Sequence, residues 1–561
     1  MGEATARTGR VAFGALTAAG MGWGAWARIS GVREHFLFGD EFHSIPLVAA
    51  GYGAIATTYD RLGSGLALPL LQRLGAEVLG VGHWSLRLPA LAGSLGTLAA
   101  ALLLGRRLGG WTVGAGAALL LALVPFHVFY GHFGRIYALV AFAGLMSFAV
   151  ASEVLEGEPR RSHYAALAVL TGALPYLHLT AAAFAVAVGG GLVLLLALQP
   201  GRRGRAVWAG ASLGAGIVLA ALLHLPAASS LLAFVGEKTR TSYGGAFGLV
   251  DVLTLMAGSR AGGLLLLGLT AAGVGLAAVR RDRIGALLAA AVIGPWLALV
   301  AVRPFGDAYA YARYLIPSAV LLALWSSRTA AQLAPAGWRS VAGLAPTALI
   351  LVAAAGDWPV RDGPHGNTYL AMLRLPAFDA AWPERSAFYR RLEGEPAAIA
   401  VIEAPALRTR SRHLHRNAFL SHRRATLLGF LPSELPGVVP DGPYVALGRD
   451  DLRASVARYL ILHVAADDEV ARYWEFAYAQ GAAGSEPWRA FMERHRNYFG
   501  VPRPGEALVD SLHGRLGRPV YRDRDVIVWD LRAGPPLDAG AARSGAEPGQ
   551  AGPRVPHRRR P

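Results

Sequence analysis

Residues 112–153 read TVGAGAALLLALVPFHVFYG, HFGR and IYALVAFAGLMSFAVASE: two apolar runs joined by a short polar stretch at 132–135. A helix needs about 20 apolar residues to cross a bilayer core of about 30 Å, and each run comes close to that length. The stretch therefore predicts two membrane-spanning helices with a tight turn between them. Applied outward along the chain, the same criterion predicts about eleven spans, at residues 11–30, 85–105, 112–131, 136–153, 164–179, 180–198, 206–225, 261–279, 284–302, 312–328 and 338–356.

The composition agrees with a polytopic α-helical membrane protein. Of the 561 residues, 54% are hydrophobic and 16% charged, and the mean hydropathy is +0.38. Soluble domains carry about 25% charged residues. The net charge of +17 is compatible with nucleic-acid binding or with charges placed at membrane edges. The basic residues lie between the apolar runs, so we expect a lipid bilayer as partner and no nucleic acid. The absence of cysteine excludes disulfides and cysteine metal sites.

Arginine placement predicts the sidedness of the spans. Every second connection is rich in arginine, as the positive-inside rule requires of cytoplasmic loops, at 106–107, 160–161, 202–205, 280–283 and 328. Segments 31–84, 132–135 and 226–260, and everything after residue 357, then lie outside the cytoplasm. Lysine occurs once, a usage that suggests a bacterial coding sequence and hence the inner membrane. The alternative for the first span is a signal peptide cleaved after the small residues at 25–27.

The composition changes after residue 357. Prolines and charges become frequent, and short apolar runs at 398–402, 459–464 and 525–529 predict strands, with a helix at about 466–480. We therefore predict a transmembrane domain at 1–357, an extracytoplasmic α/β domain at 358–533 and a disordered tail at 534–561.

Two adjacent carboxylates, Asp40 and Glu41, follow the first span. Carboxylates beside a membrane are costly unless they are used or solvated, so both a catalytic role and a solvated loop remain open. The stretch after them, 45–79, is amphipathic and predicts interfacial helices.

A second group of polar residues lies at the predicted outer ends of later spans. Arg135 is in the turn 132–135 and Tyr137 follows it, whereas the positive-inside bias would place an arginine on the other face. His178 lies between two spans, and Arg313 and Tyr314 open another. An outer arginine can anchor to lipid headgroups or bind the phosphate of a lipid-linked substrate. A histidine at such a position is more often structural. Segment 226–260 is long enough to cover a cleft as a loop.

The ordered set of motifs resembles the GT-C class of integral-membrane glycosyltransferases, in the branch of protein O-mannosyltransferases and lipid A aminoarabinose transferases. The matching pieces are the acidic pair at 40–41, RLPALAG at 87–93, PFHVFY at 125–130 with RIY at 135–137, PYLH at 175–178 and RYLIP at 313–317. Where many relatives have His-Pro-Pro further along the first loop, this chain has LGSGLALP at 62–69.

The resemblance implies an enzyme that moves a sugar from a polyprenyl-phosphate carrier to a protein, lipid or glycan acceptor on the outer face. It implies catalysis by Asp40 with Glu41 beside it, either as a base or as ligands of a divalent metal such as Mg²⁺ or Mn²⁺. Arg135 and Arg313 would bind the phosphate, and Tyr137, His178 and Tyr314 would line the substrate site. The alternatives are a transporter or flippase of a lipid-linked sugar, and a non-enzymatic membrane scaffold.

Overall fold

A computed structural model of the chain describes residues 2–34, 41, 44–59, 65–240, 248–302, 308–356, 386–396, 399–404, 425–428, 457–464, 506–524 and 526–532. All the helices and strands described within the first 356 residues are helices. The helices are α1 (Gly2–Glu34), α2 (Ile45–Ala50), α3 (Tyr52–Thr57), α4 (Ala67–Leu79), α5 (His83–Gly109), α6 (Trp111–Leu123), α7 (Pro125–His132), α8 (Tyr137–Glu156), α9 (Arg161–Leu177), α10 (Ala181–Ala197), α11 (Arg203–His224), α12 (Ala228–Arg240), α13 (Leu249–Ala257), α14 (Arg260–Arg280), α15 (Arg283–Val302), α16 (Ala308–Tyr314), α17 (Ile316–Leu333), α18 (Arg339–Ala342) and α19 (Ala345–Gly356), with 3₁₀ turns at Leu225–Ala227 and Ala336–Trp338.

Each predicted span coincides with a helix or with a pair of helices. The long apolar run 164–198 forms two helices, α9 and α10, as its length requires. Within the described part of the chain, five helices are long and apolar enough to cross a membrane, or six if the bent pair α6 and α7 is one span. The total of about eleven spans stays a prediction.

The structure adds detail to two of the predicted segments. The span 112–131 is not straight, because α6 and α7 meet at Val124 with a bend of 66°. Pro125 opens α7 and has no N–H to continue the hydrogen-bond ladder of α6. Segment 226–260 is not an open loop either: α12 and α13 occupy most of it, and residues 241–247 lie outside the described part.

The centre of the bundle is formed by α5, α6, α8 and α17, in which α5 and α17 pack against each other and each packs against both α6 and α8. Their facing side chains include Leu120, Phe148 and Leu321, all buried. α5 and α8 approach so closely that a Cβ at Gly93 would lie 2.6 Å from the backbone nitrogen of Leu139. The peripheral helix α11 instead exposes large apolar side chains such as Val207, as expected for a surface that faces lipid.

The arginines of the predicted cytoplasmic connections gather at one end of the bundle. Arg107 pairs with Glu153 beside the end of α8, and Arg202 donates to the carbonyl of Leu155 on the same helix. Arg328 pairs with Asp282 at 2.6 Å. Residues that are far apart in sequence therefore lie at the same helix ends, as the arginine pattern predicts, and which face of a membrane this end occupies stays a prediction.

The C-terminal part contains a five-stranded sheet in the order β2-β1-β3-β5-β4. Strand β1 runs parallel to its neighbours β2 and β3, whereas β5 is antiparallel to β3 and β4. Helix α20 packs on one face of the sheet through Phe388, and α21 packs on the other through Leu512. The elements are β1 (Ala400–Ala404), β2 (Ala425–Leu428), β3 (Ala457–His463), β4 (Tyr521–Arg522), β5 (Val526–Asp530), α20 (Ala387–Glu393) and α21 (Glu506–Leu516).

The three predicted strands correspond to β1, β3 and β5, within two residues at each end. The short strands β2 and β4 and the helices α20 and α21 were not predicted from the sequence. The predicted helix at 466–480 and the predicted tail at 534–561 lie outside the described residues, and the domain boundaries at 357 and 533 stay predictions.

Candidate functional site

Glu41 is held in a buried ion pair near the C-terminal end of α1. Both side chains of the pair are inaccessible to solvent, and Arg87 binds the carboxylate through two parallel bonds, Nε to Oε1 at 2.7 Å and Nη2 to Oε2 at 2.8 Å. The N–H of Gly134 also donates to Oε1, at 2.6 Å. Arg87 Nη1 donates to the carbonyls of Gly31 and Val32. The pair thus ties together the first loop, α1, α5 and the turn that carries Arg135.

The turn between α7 and α8 depends on the small size of Gly134. A Cβ at this position would lie 2.8 Å from Oε1 of Glu41, so a side chain would push the carboxylate out of its contact. Gln72 adds a further constraint, because its amide donates to the carbonyls of Leu86 and Gly134. The turn is therefore fixed from two directions, and Arg135 within it is buried.

Three of the predicted substrate-site residues meet at the same end of the bundle. The ring centroids of Tyr137 and His178 are 5.8 Å apart, those of His178 and Tyr314 are 4.9 Å apart, and those of Tyr137 and Tyr314 are 5.9 Å apart. The guanidinium of Arg313 lies over the Tyr314 ring, 5.0 Å from its centroid. Side chains from the start of α8, the α9–α10 connection and the end of α16 thereby form one aromatic and cationic cluster.

His178 is oriented by Thr180. The hydroxyl of Thr180 lies 2.8 Å from Nδ1, and the Thr180 backbone N–H points at the same nitrogen at 3.4 Å. Nδ1 therefore accepts, which leaves the proton of a neutral ring on Nε2. Burial, followed by the positive charges of Arg135 and Arg313, lowers the pKa of His178 below its ordinary value. The cluster thus combines two fixed cations with a neutral imidazole, an arrangement that suits a bound phosphate.

Arg28 and Arg87 are two buried arginines whose roles the sequence did not reveal. Arg28 on α1 lies against the bend between α6 and α7, where it donates to the carbonyls of Leu121 at 2.6 Å and Ala122 at 3.1 Å. The normal helical partner of the Leu121 carbonyl would be the N–H of residue 125, which is proline. An arginine within an apolar run almost always pairs with another group, and this rule could have identified both residues from the sequence.

The predicted catalytic pair is only partly described. Asp40 lies outside the described residues, and so does the segment 303–307 before Arg313. No cluster of three or more histidine or acidic side chains that could hold a metal occurs in the described part of the chain. A metal site that includes Asp40 and Glu41 stays a prediction, although Arg87 and Gly134 already occupy both Glu41 oxygens.

Comparison with known proteins shows the fold. No protein-family model matches the sequence, and no curated protein sequence matches it. The structure of ArnT from Cupriavidus metallidurans in the apo state matches with a TM-score of 0.54 at 14% identity, covering 94% of this chain and 99% of that chain. ArnT bound to undecaprenyl phosphate matches with a TM-score of 0.55 at 13% identity, covering 93% and 98%. The chain therefore has the ArnT fold, which confirms at the level of fold the resemblance seen in the sequence.

Proposed function

We propose that the protein is a membrane glycosyltransferase that takes a sugar from a polyprenyl-phosphate donor and passes it to an acceptor hydroxyl. The observation that carries the proposal is the meeting of Arg135, Arg313, Tyr137, His178 and Tyr314 at one end of a helix bundle with the fold of ArnT. One solved structure of ArnT holds undecaprenyl phosphate. Two arginines beside aromatic rings offer this chain the charge and the surfaces for a comparable ligand.

In the proposed reaction, the bond between the anomeric carbon of the sugar and the phosphate oxygen breaks while the acceptor oxygen bonds to that carbon. The acceptor proton passes to a carboxylate, for which Asp40 is our candidate. The polyprenyl phosphate leaves with an additional negative charge, which Arg135 and Arg313 stabilise most strongly as the bond breaks. The donor bond supplies the driving force, so the mechanism needs no nucleotide.

We assign Glu41 a positioning role within this mechanism. Its two oxygens already accept three N–H bonds, two of them from Arg87, so the carboxylate is committed to holding the loop. The base role falls to Asp40 because it is the neighbour of this anchored residue in the chain. A divalent metal bound by Asp40 would serve the same phosphate by drawing charge from it.

The position of the cluster favours transfer chemistry over transport. Transporters usually bind substrate near the middle of the membrane between broken helices, whereas this cluster is built from helix ends. The bend between α6 and α7 keeps transport as the second candidate, since broken helices are common in transporters.

The experiment is sugar transfer by the purified protein in lipid nanodiscs, with a panel of polyprenyl-phosphate sugars and a bacterial envelope extract as acceptor source. Mass spectrometry then detects a covalent sugar adduct and free polyprenyl phosphate. We expect both products from one member of the panel. Movement of intact donor across a proteoliposome membrane without a covalent product would support the flippase alternative.

A further inference from the structure

A second polar cavity lies inside the bundle beside the Arg135 and Arg313 cluster, since the ring of Tyr130 in its lining is 5.2 Å from that of Tyr137. The volume of the cavity is about 20 Å³, and its polar lining comes from Arg28, Ser94, Thr97, His127 and Tyr130. The rest of the lining is apolar, from α5, α6, α8 and α17. A cavity needs about 10–15 Å³ to hold one water, so this space suits a small ion or an ordered water and is too small for a sugar phosphate.

The cavity carries a positive charge that its lining does not balance. Arg28 is fully buried, and its Nε donates to Ser94 Oγ at 2.7 Å. Its remaining bonds go to backbone carbonyls, those of Gly24, Ala122 and Leu121. These neutral acceptors take four of the five guanidinium N–H groups, which leaves one on Nη2. Among the described residues that line the cavity there is no aspartate or glutamate.

His127 supplies a second, independent feature. Its side chain is 9% exposed and lines the same cavity as Arg28. Within the part of the chain that the structure describes, neither ring nitrogen forms a hydrogen bond. An imidazole N–H that has no protein acceptor is a suitable donor for an anion in the cavity.

We propose that this cavity binds a small monovalent inorganic anion of the halide class, held by the remaining Nη2 N–H of Arg28 and a ring N–H of His127. A buried charge is stabilised by a counter-ion, because transfer of an isolated charge from water into an apolar interior is very unfavourable. The anion neutralises Arg28, which also caps the broken end of α6, and so stabilises the bend that carries α7. The residues that would hold the anion differ from those of the proposed donor site, and the inference does not depend on that function.

The first test measures the melting temperature of the full-length protein in detergent at constant ionic strength. Chloride and bromide should raise it saturably, and gluconate should not. His127→Phe should weaken the apparent halide affinity by about tenfold or more, as expected for the loss of a hydrogen bond to a charged group. His163→Phe, at the start of α9 and away from the cavity, should keep the halide dependence of the wild type. A melting temperature that responds equally to chloride and gluconate overturns the proposal.

The second test locates the ion in the wild-type protein, and so does not require any variant to fold. Crystals grown in bromide should show an anomalous peak between Arg28 and His127. Ordered water alone at this position, or bromide bound only elsewhere, contradicts the proposal. Loss of the peak when polyprenyl phosphate is added would assign the cavity to the donor and would also overturn it.

Discussion

The ion pair between Arg87 and Glu41 is the contact on which the geometry of the first loop depends. Removal of one partner leaves a buried charge without its counterpart, which typically costs about 3–5 kcal/mol of stability. Arg87→Met should therefore lower the free energy of unfolding by an amount in that range, and adding Glu41→Gln should restore part of it. Chemical unfolding in detergent provides the measurement.

The exposed pair Arg73 and Glu77 on α4 is the matched control. Its side chains are 31% and 44% exposed, and an exposed pair contributes only about 0–1 kcal/mol. Arg73→Met should therefore change stability little. Equal losses at the two pairs would mean that the buried pair does not anchor the loop.

Arg135 and Arg313 are expected to act on the donor phosphate. Arg135→Ala and Arg313→Ala should each reduce kcat/KM for the donor. The reduction should correspond to a loss of about 1–3 kcal/mol of transition-state stabilisation, the value of a hydrogen bond to a charged group. Lysine at either position should restore activity in part, since it returns the charge without the planar fork of donors. Steady-state kinetics with the donor varied measures the effect.

Arg283→Ala is the control for this pair of variants, because Arg283 is an exposed arginine at the opposite end of the bundle. It should retain wild-type kinetics. Wild-type values in Arg135→Ala and Arg313→Ala as well would make these arginines anchors for lipid headgroups.

The bend between α6 and α7 places the turn that carries Arg135, and it has a specific chemical cause. Pro125 removes one N–H from the helix, and Arg28 supplies donors to the freed carbonyls of Leu121 and Ala122. Arg28→Leu should therefore lower the free energy of unfolding by about 1–3 kcal/mol for each carbonyl left without a donor. Pro125→Ala restores a donor at position 125, so the double variant should be more stable than the sum of the two single changes predicts.

Thermal unfolding in detergent distinguishes these outcomes. Ser94→Ala, which removes only one hydrogen bond to Arg28, serves as the smaller reference change, at about 0.5–1.5 kcal/mol. Strictly additive effects of Arg28→Leu and Pro125→Ala would contradict the role of Arg28 as the cap of α6.

The helices of the bundle were predictable from sequence because a lipid-facing helix has a length set by the bilayer. The limits of α9 and α10, for example, fall within three residues of the predicted spans 164–179 and 180–198. The bend at Val124 was not predicted because the criterion for a span counts apolar residues and ignores the backbone N–H that Pro125 lacks. The strands β2 and β4 were missed because four and two residues are too short to show an alternating pattern.

The sequence was sufficient to identify residues of the candidate site, but it did not show which side chains they contact. Tyr137, His178 and Tyr314 each stood out as polar groups at the end of an apolar run, and they do meet in space. Glu41 was expected to act beside Asp40 in the chemistry, and its bond to Arg87 could not be inferred because 46 positions separate them. Long-range pairing of this kind depends on how α5 packs against α1, which a single sequence does not encode visibly.

The whole molecule has one arginine-rich end and one end that carries the candidate site, and the two should face opposite sides of a membrane. A periplasmic activity reporter fused after residue 357, or within segment 226–260, should therefore be active outside the cytoplasm. A cytoplasmic fusion reporter after Arg107 or Arg203 is the opposite control. A cytoplasmic signal from the fusion after residue 357 would show that the bundle has the opposite orientation, with the candidate site at the cytoplasmic face.

The most direct test of the proposed function is the stoichiometry of transfer by the wild type and by Asp40→Asn. The wild type should release one polyprenyl phosphate for each sugar joined to the acceptor. Asp40→Asn should lower turnover by about 10²-fold or more, the usual effect of losing a general base, with little change in donor binding. Near-normal turnover by correctly folded Asp40→Asn would contradict the assigned base, and wild-type protein that releases no polyprenyl phosphate with any donor and acceptor would contradict the glycosyltransferase itself.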